Sequence, residues 1–357
     1  MPDSRDIPPE VTSAPVTAPA GWSRISRWLG PIFAIALIAL AVTVLREITR
    51  EITWAEVRTA VRAVPLAHMA QSLGLAVLAM GTMGLYDVLS CRIAGIRDVP
   101  ARLAAMAGFC GYALANMLGF HVILGGTVRY RIYSAAGLST EQIAQILALS
   151  LGTIWLAIAA LFSVVFITQP MAVPIFGHAP HLTQLLGAVL GIGLVGLIVW
   201  LWPGRSGLTL LGWRFPVPDG RGAVAQTLLG LADFGLAAAA LYVLLPGDLR
   251  PDFLAFALIF MTSFIAGTLS HSPGGLGVLE AGILFGLGAI NRPDAIAALL
   301  VFRITYYVVP FGFAVLSLVL MEATRGLRGW GWILRPLALT SGFGLIAAVV
   351  FWIADRS

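Results

Sequence analysis

Apolar residues gather into long runs along this chain, near 29–45, 66–90, 101–124, 141–168, 182–203, 223–245, 252–290 (interrupted), 295–321 and 337–354. A helix that spans a bilayer needs about 20 apolar residues, and most of these runs reach that length. The polar positions between them set direction. Arg92, Arg97 and Arg102 mark one short loop, Arg205, Arg214 and Arg221 a second, and Arg325, Arg328 and Arg335 a third. Arginine-rich loops stay on the cytoplasmic side, so all three are expected inside. The stretch from Gln169 to His181 has no arginine and is expected outside.

These directions fix how often the chain crosses. Run 101–124 begins inside, yet run 141–168 must also begin inside to end at the arginine-free loop. Run 101–124 is therefore expected to enter the membrane and return, and 252–290 to do the same from the opposite side. Irregular backbone at membrane depth survives only where protein or water satisfies it, so such hairpins line cavities. The expected fold is an all-α integral membrane protein with seven crossings and two re-entrant hairpins.

Residues 1–28, with five prolines, read as a disordered cytoplasmic tail. Residues 29–63 hold the first span and then a surface helix. In that helix Arg46, Arg50, Arg58 and Arg62 interleave with Glu47, Glu51 and Glu56, beside Ile48, Ile52 and Trp54. A first membrane repeat at 64–203, a cytoplasmic loop at 204–222 and a second repeat at 223–357 complete the division. The repeat rests on landmarks in matching order. Gly84-Leu85-Tyr86-Asp87 matches Gly230-Leu231-Ala232-Asp233. His121 before Gly125-Gly126 matches His271 before Gly274-Gly275, and Thr140–Ala144 matches Pro293–Ala297. The halves would run in opposite directions, the inverted arrangement of many transporters.

Composition agrees with the membrane reading and removes several functions. Hydrophobic residues make up 59% of the 357 and charged residues 11%, whereas a soluble domain carries about 25% charged residues. All 22 basic residues are arginine, so no lysine Schiff base and no Gly-Lys-Ser/Thr phosphate loop can form. Arginines scattered between apolar runs suit anionic lipid and not nucleic acid. Cys91 and Cys110 have no Cys-x-x-Cys partner, and the histidines form no His-Glu-x-x-His, so no metal or other cofactor is expected.

The candidate chemistry lies at charges inside apolar runs. Asp87 and Asp233 sit where a charge costs at least about 2.5 kcal/mol by insertion scales, so each fits a structural ion pair, proton coupling or headgroup contact. In the stretch 120–131, Gly125 and Gly126 permit tight turning and close backbone approach. Arg129 and Arg131 follow, flanked by Tyr130 and Tyr133. Guanidinium binds phosphate bidentately, and tyrosine suits the headgroup level, so a lipid phosphate site is the natural reading. In the second half Gly274, Gly275 and Gly277 break the chain before Glu280, an acid expected to meet a cationic headgroup or one of the arginines Arg129 and Arg131. Arg303, Tyr306 and Tyr307 share one helical face, and Arg303 must snorkel or pair.

Tyr86-Asp87-Val88-Leu89, Gly125-Gly126-x-x-Arg129-Tyr130-Arg131-x-Tyr133-Ser134, Pro273-Gly274-Gly275-Leu276-Gly277-Val278-x-Glu280 and Arg303-x-x-Tyr306-Tyr307 carry a family resemblance. Over residues 30–350 the chain resembles the membrane region of the bacterial lysylphosphatidylglycerol synthase/flippase family. That resemblance implies movement of aminoacylated phosphatidylglycerol between leaflets. The soluble domain that makes the lipid in full-length members is not expected in this chain, which ends at Ser357. The leading expectation is a lipid translocase, not an enzyme, in a bacterial cytoplasmic (inner) membrane with its N-terminus in the cytoplasm. Arg129 and Arg131 would hold the phosphate of an anionic phospholipid, while Glu280 and Asp233 line its path. His121 and His271 stand beside the glycine breaks. A non-transporting subunit that positions a separate lipid-modifying synthase or glycosyltransferase is the alternative, and a homo-oligomer fits either role.

Overall fold

The computed structural model describes residues 54–119, 121–170, 179–203, 207–210, 213–215, 217–270 and 272–325. The tail at 1–28, the first apolar run at 29–45 and the last at 337–354 lie outside the described residues, as does His271.

The chain is built from helices. Helix α1 (Trp54–Ala63) is the described part of the expected surface helix, and α2 (Leu66–Ile93) follows after Pro65. Two shorter helices, α3 (Ala101–Leu118) and α4 (His121–Ser134), come next, then α5 (Thr140–Thr168) and α6 (Pro180–Leu201). A capping box starts α5: the Ser139 hydroxyl accepts from the Gln142 N–H while the Gln142 side chain accepts from the Ser139 N–H. The loop after α6 holds a small antiparallel pair, β1 (Leu208–Leu210) and β2 (Trp213–Phe215), an exception to the all-α expectation. The second half has α7 (Gly220–Tyr242), α8 (Phe253–Leu269), a 3-10 turn at Pro273–Gly275 and α9 (Val278–Gly286). It ends with α10 (Pro293–Phe302), a π-helical segment at Arg303–Val308, and α11 (Val309–Arg325).

Among the described residues, five stretches are long and apolar enough to cross a membrane: α2, α5, α6, α7 and the continuous Pro293–Val319. They coincide with five of the seven runs read as crossings. The other two lie outside the described residues. Exposure of Val189, Ile192, Val195 and Val199 along α6 marks a face suited to lipid.

Antiparallel helix pairs occupy both places where hairpins are expected, but the first differs from the expectation: run 101–124 is mostly the single helix α3, and its return arm is α4, which extends to Ser134. In the first, a Cβ on Gly125 of α4 would stand 3.4 Å from the Gly111 carbonyl oxygen of α3. In the second, a Cβ on Gly282 would meet Ser263, and one on Gly286 would meet Ile259, so α9 folds back along α8. The turn positions differ between the two. Gly274, Gly275 and Gly277 all adopt positive φ, as a glycine break requires. In the first half, by contrast, the break is at Gly119 (φ 78°), and Gly125 and Gly126 are helical within α4. Neither glycine makes the turn, because α4 continues through both to Ser134; Gly125 serves close approach to α3, while a Cβ on Gly126 would meet only Leu147 Cδ1 at 3.9 Å.

Helices α2 and α7 run antiparallel against each other. Ile93 lies beside Gly222 at one end, Tyr86 meets Asp233 in the middle, and His68 lies near Leu245 at the other end. The later helices exchange partners across this axis. Helix α5 packs on α7 and α8 of the second half, while the π-helical segment and α11 pack on α2 and α3 of the first. A Cβ on Gly230 would approach the Ala157 Cβ to 2.4 Å, so only glycine lets α5 and α7 come this close.

Candidate functional site: a lateral cavity with a buried guanidinium

Asp87 is fully buried on α2, where an isolated carboxylate would be costly. Its oxygens are fully engaged. Arg129 Nε donates to both, at 3.0 and 2.8 Å, the Tyr133 hydroxyl donates at 2.9 Å, and Ser150 Oγ donates at 2.9 Å. Both members of the pair lie in the first half of the chain. Its charge compensation is what allows Arg129, 3% exposed, to stay in the interior.

The guanidinium fits because α3 makes room for it. A Cβ on Gly111 would stand 2.8 Å from Arg129 Nη1, and the ring of Tyr112 lies under the guanidinium with 4.2 Å from Cζ to the centroid. Nη1 also donates to the Gly125 carbonyl at 3.4 Å. Nη2 is buried and has no hydrogen-bond partner among the described residues. Nε alone serves Asp87, so Nη2 is the donor of this guanidinium left to be satisfied.

Arg129 is among the residues lining a cavity of about 360 Å³ walled by α2, α3, α4, α5, α7 and α8. Most of its lining is apolar. The polar exceptions are few: Arg129, Tyr86, Tyr112, Asn116, Ser150 and Asp233 among them. Leu151, Trp155 and Leu269, which also line it, are exposed on the outer surface of the bundle. The cavity thus reaches the side of the molecule, between helices.

Asp233 stands on the cavity wall, buried, with no cationic partner among the described residues. The Tyr86 hydroxyl donates to its Oδ2 at 2.9 Å, and Thr82 Oγ1 lies 2.9 Å from its Oδ1. Adjacent residues Tyr86 and Asp87 point about 100° apart on the helix, so one serves each aspartate.

A second charged cluster sits at the tip of the other hairpin. Arg303 Nε donates to Glu280 Oε1, and Nη1 donates to the Gly274 carbonyl. The guanidinium lies over the Tyr307 ring with 4.5 Å from Cζ to the centroid, and Nη2 again is buried without a partner among the described residues. Glu280 Oε2 accepts from the Gly277 N–H at 2.8 Å. The acid therefore meets an arginine of its own half and not Arg129 or Arg131. The hairpin tips touch here, since a Cβ on Gly274 would stand 3.3 Å from the Met117 carbonyl oxygen. Between them remains a void of about 10 Å³ beside Gly275 and Tyr307.

The other expected site residues separate from this set. Arg131 is half-buried and Tyr130 is 49% exposed; neither lines the cavity, because residues one and two places from Arg129 leave its helical face. Tyr133 supports Asp87 from the buried side. His121 begins α4, with its side chain outside the described residues. Gly126 lines the cavity directly. Tyr112, Thr82 and Ser150 carry site contacts that the sequence pattern does not single out. Spacing could have flagged Thr82, one turn before Tyr86 on the same face of α2. Nothing local marks Tyr112 or Ser150. Among the described residues no group of His, Cys, Asp or Glu is arranged to hold a metal ion.

Long apolar helices, paired shorter ones and a lateral cavity with a buried charge define a multi-pass helical membrane protein. No protein-family model matches the chain. It is 29% identical over 313 residues to the uncharacterized protein slr0712 of Synechocystis sp., covering 86% of this chain and 96% of that relative. It is 30% identical over 310 residues to the inner membrane protein YbhN of Escherichia coli (strain K12), covering 85% of this chain and 94% of YbhN. The chain belongs to the family of the inner membrane protein YbhN.

Proposed function

We propose that the protein is a lipid translocase of the inner membrane, which takes the phosphate of an anionic phospholipid onto Arg129 through the lateral cavity. One observation carries this reading: a buried arginine, with Nη2 unpartnered among the described residues, lines a cavity that is otherwise mostly apolar. A phosphate oxygen is the ligand such a donor lacks, and the apolar walls suit acyl chains. The name of its YbhN relative supports the inner-membrane assignment. The resemblance of its glycine motifs to the lysylphosphatidylglycerol synthase/flippase family supports a lipid cargo, with aminoacylated phosphatidylglycerol as one candidate.

Two architectural facts favour transport over static binding. Helices α2 and α7 run antiparallel, and each half places a helical hairpin between long helices. We read this as an inverted repeat with seven crossings, an N-terminus in the cytoplasm and two re-entrant hairpins, able to open alternately to either leaflet. In this reading the cavity beside Arg129 is one headgroup station, and the small void beside Gly274 and Tyr307 is the other. No step of bond making is required, and we assign no enzymatic activity.

The test is a leaflet-resolved lipid assay in liposomes containing purified protein. Phosphatidylglycerol and its aminoacylated form should move faster than in protein-free liposomes, and faster than phosphatidylcholine. Unchanged movement of every anionic lipid tested would reject the proposal.

A further inference from the structure

Thr82 has one hydroxyl hydrogen and two oxygen neighbours. Its Oγ1 lies 2.6 Å from the Ala79 carbonyl oxygen and 2.9 Å from Asp233 Oδ1. A carbonyl only accepts, and an ionised carboxylate only accepts. With Asp233 ionised, the single hydrogen must be shared between two acceptors, as at Thr262 Oγ1 between the Leu258 and Ile259 carbonyls. The shorter contact, to the carbonyl one turn back, is the ordinary use of a threonine hydroxyl in a helix. A proton on Asp233 Oδ1 would give the Asp233 contact a hydrogen of its own.

We infer that Asp233 is a proton-binding site of the cavity, occupied in this conformation. Protonated at Oδ1, it donates to Thr82 Oγ1, Thr82 donates to Ala79, and Oδ2 accepts from Tyr86. Every hydrogen is then placed. The surroundings agree, since a buried carboxylate without a cation is expensive and neutralises readily. Helix α2 brings Tyr86 to Asp233 and turns Asp87 away to Arg129. Tyr112 of α3 and Tyr306 of the π-helical segment lie within electrostatic reach. Arg129 of α4 shares the cavity, while α5 and α8 face it with apolar and hydroxyl side chains. The only titratable residue of α6 is His181, in its first turn. Asp294 of α10 lies at the far end of α7, beside Leu244.

The consequence deepens the proposed function and rests on it. Asp87 already neutralises Arg129, so an ionised Asp233 would give the cavity a net negative charge and oppose an anionic headgroup. Protonation of Asp233 and occupancy by an anion favour each other, and linkage makes the effect reciprocal. Protons would therefore bind together with an anionic lipid.

Infrared spectroscopy of the protein in nanodiscs made of phosphatidylcholine tests the proton site without any transport. A protonated-carboxyl stretch should be present at pH 7, absent in Asp233→Asn, and shifted in Thr82→Val, which removes the acceptor. The Thr82→Val shift identifies the band even if Asp233→Asn fails to fold. A pH 7 spectrum without such a band, or a band unmoved by Thr82→Val, overturns the inference. With the band established, phosphatidylglycerol titrated into the nanodiscs should bind several-fold more tightly at pH 6 than at pH 8, with Asp233→Asn flat; equal affinities in wild type would overturn the coupling. A protein that shows the band yet moves no lipid would instead reject the translocase reading alone.

Discussion

Arg129 and Arg303 hold matching contacts in opposite halves of the molecule. Each gives Nε to a carboxylate (Asp87 or Glu280) and Nη1 to a glycine carbonyl (Gly125 or Gly274). Each lies over a tyrosine ring (Tyr112 or Tyr307) and leaves Nη2 buried without a partner among the described residues. Gly125 and Gly274 are also the residues matched by the sequence landmarks. One arginine lines a cavity of about 360 Å³, and the other lies over Tyr307, which borders a void of about 10 Å³. A molecule that alternates between two shapes would exchange these roles.

Removing one member of the Asp87–Arg129 pair should cost more than removing both. Arg129→Gln leaves a buried carboxylate with hydroxyl donors only, and Asp87→Asn leaves a buried guanidinium. Breaking such a pair costs about 3–5 kcal/mol, whereas joint replacement is close to neutral. Thermal unfolding in detergent should place both single variants well below wild type and the double variant between them. Additive losses would show that the two side chains do not act as a pair.

Helix contact at Gly230 gives a steric prediction. Gly230→Ala puts a Cβ 2.4 Å from that of Ala157, so α5 and α7 must separate, at about 1–3 kcal/mol for overpacking. Gly235, on the same helix, has nothing within 4 Å of where a Cβ would stand, and Gly235→Ala should leave unfolding unchanged or raise its midpoint. Equal behaviour of the two variants would argue against the close packing of α5 on α7.

The sequence revealed the long helices and the general places of two short-helix pairs because hydropathy and arginine placement act over whole segments, but it ended the first pair at 124 where its second helix runs to Ser134. It also marked Asp87, Arg129, Asp233, Glu280 and Arg303, since charge inside an apolar run is rare enough to notice. Pairing was not legible. Glu280 reaches Arg303 only because the α8–α9 hairpin returns the chain beside the π-helical segment, a tertiary fact. The turn of the first hairpin was misplaced for a related reason: Gly119 carries the positive φ, while the more conspicuous Gly125 and Gly126 are helical within α4. Tyr112 was hidden because a tyrosine on a buried apolar helix looks the same whether or not an arginine lies over it.

Arg303→Lys should loosen the second hairpin tip. An ammonium cannot serve Glu280 and the Gly274 carbonyl in a fixed fork while stacked on Tyr307. Hydrogen exchange at residues 274–277 should quicken by about tenfold, the equivalent of about 1.4 kcal/mol of local stability. Unchanged protection there would show that Arg303 does not anchor the tip.

Acid should weaken the loop contact at the opposite end of α7. Hydrogen bonding from Arg292 holds the Asp248 carboxyl below its usual range, in a loop outside the spanning helices. A lowered folded-state value means the contribution is complete above the ordinary carboxylate range and is lost as pH falls through the lowered one. Wild type and Arg292→Gln should therefore differ in exchange at residues 247–249 at pH 7 and converge at strongly acid pH. A difference that persists in acid would exclude the Asp248 contact as its source.

The decisive measurement is leaflet-resolved movement of phosphatidylglycerol by the Asp87→Asn/Arg129→Gln double variant, compared with wild type in matched liposomes. Charge balance is kept and the fold should persist, so only the guanidinium is lost from the cavity lining. The expected result is a folded protein whose phosphatidylglycerol movement falls to that of protein-free liposomes. Movement at the wild-type rate would contradict a role for Arg129 in carrying the phosphate.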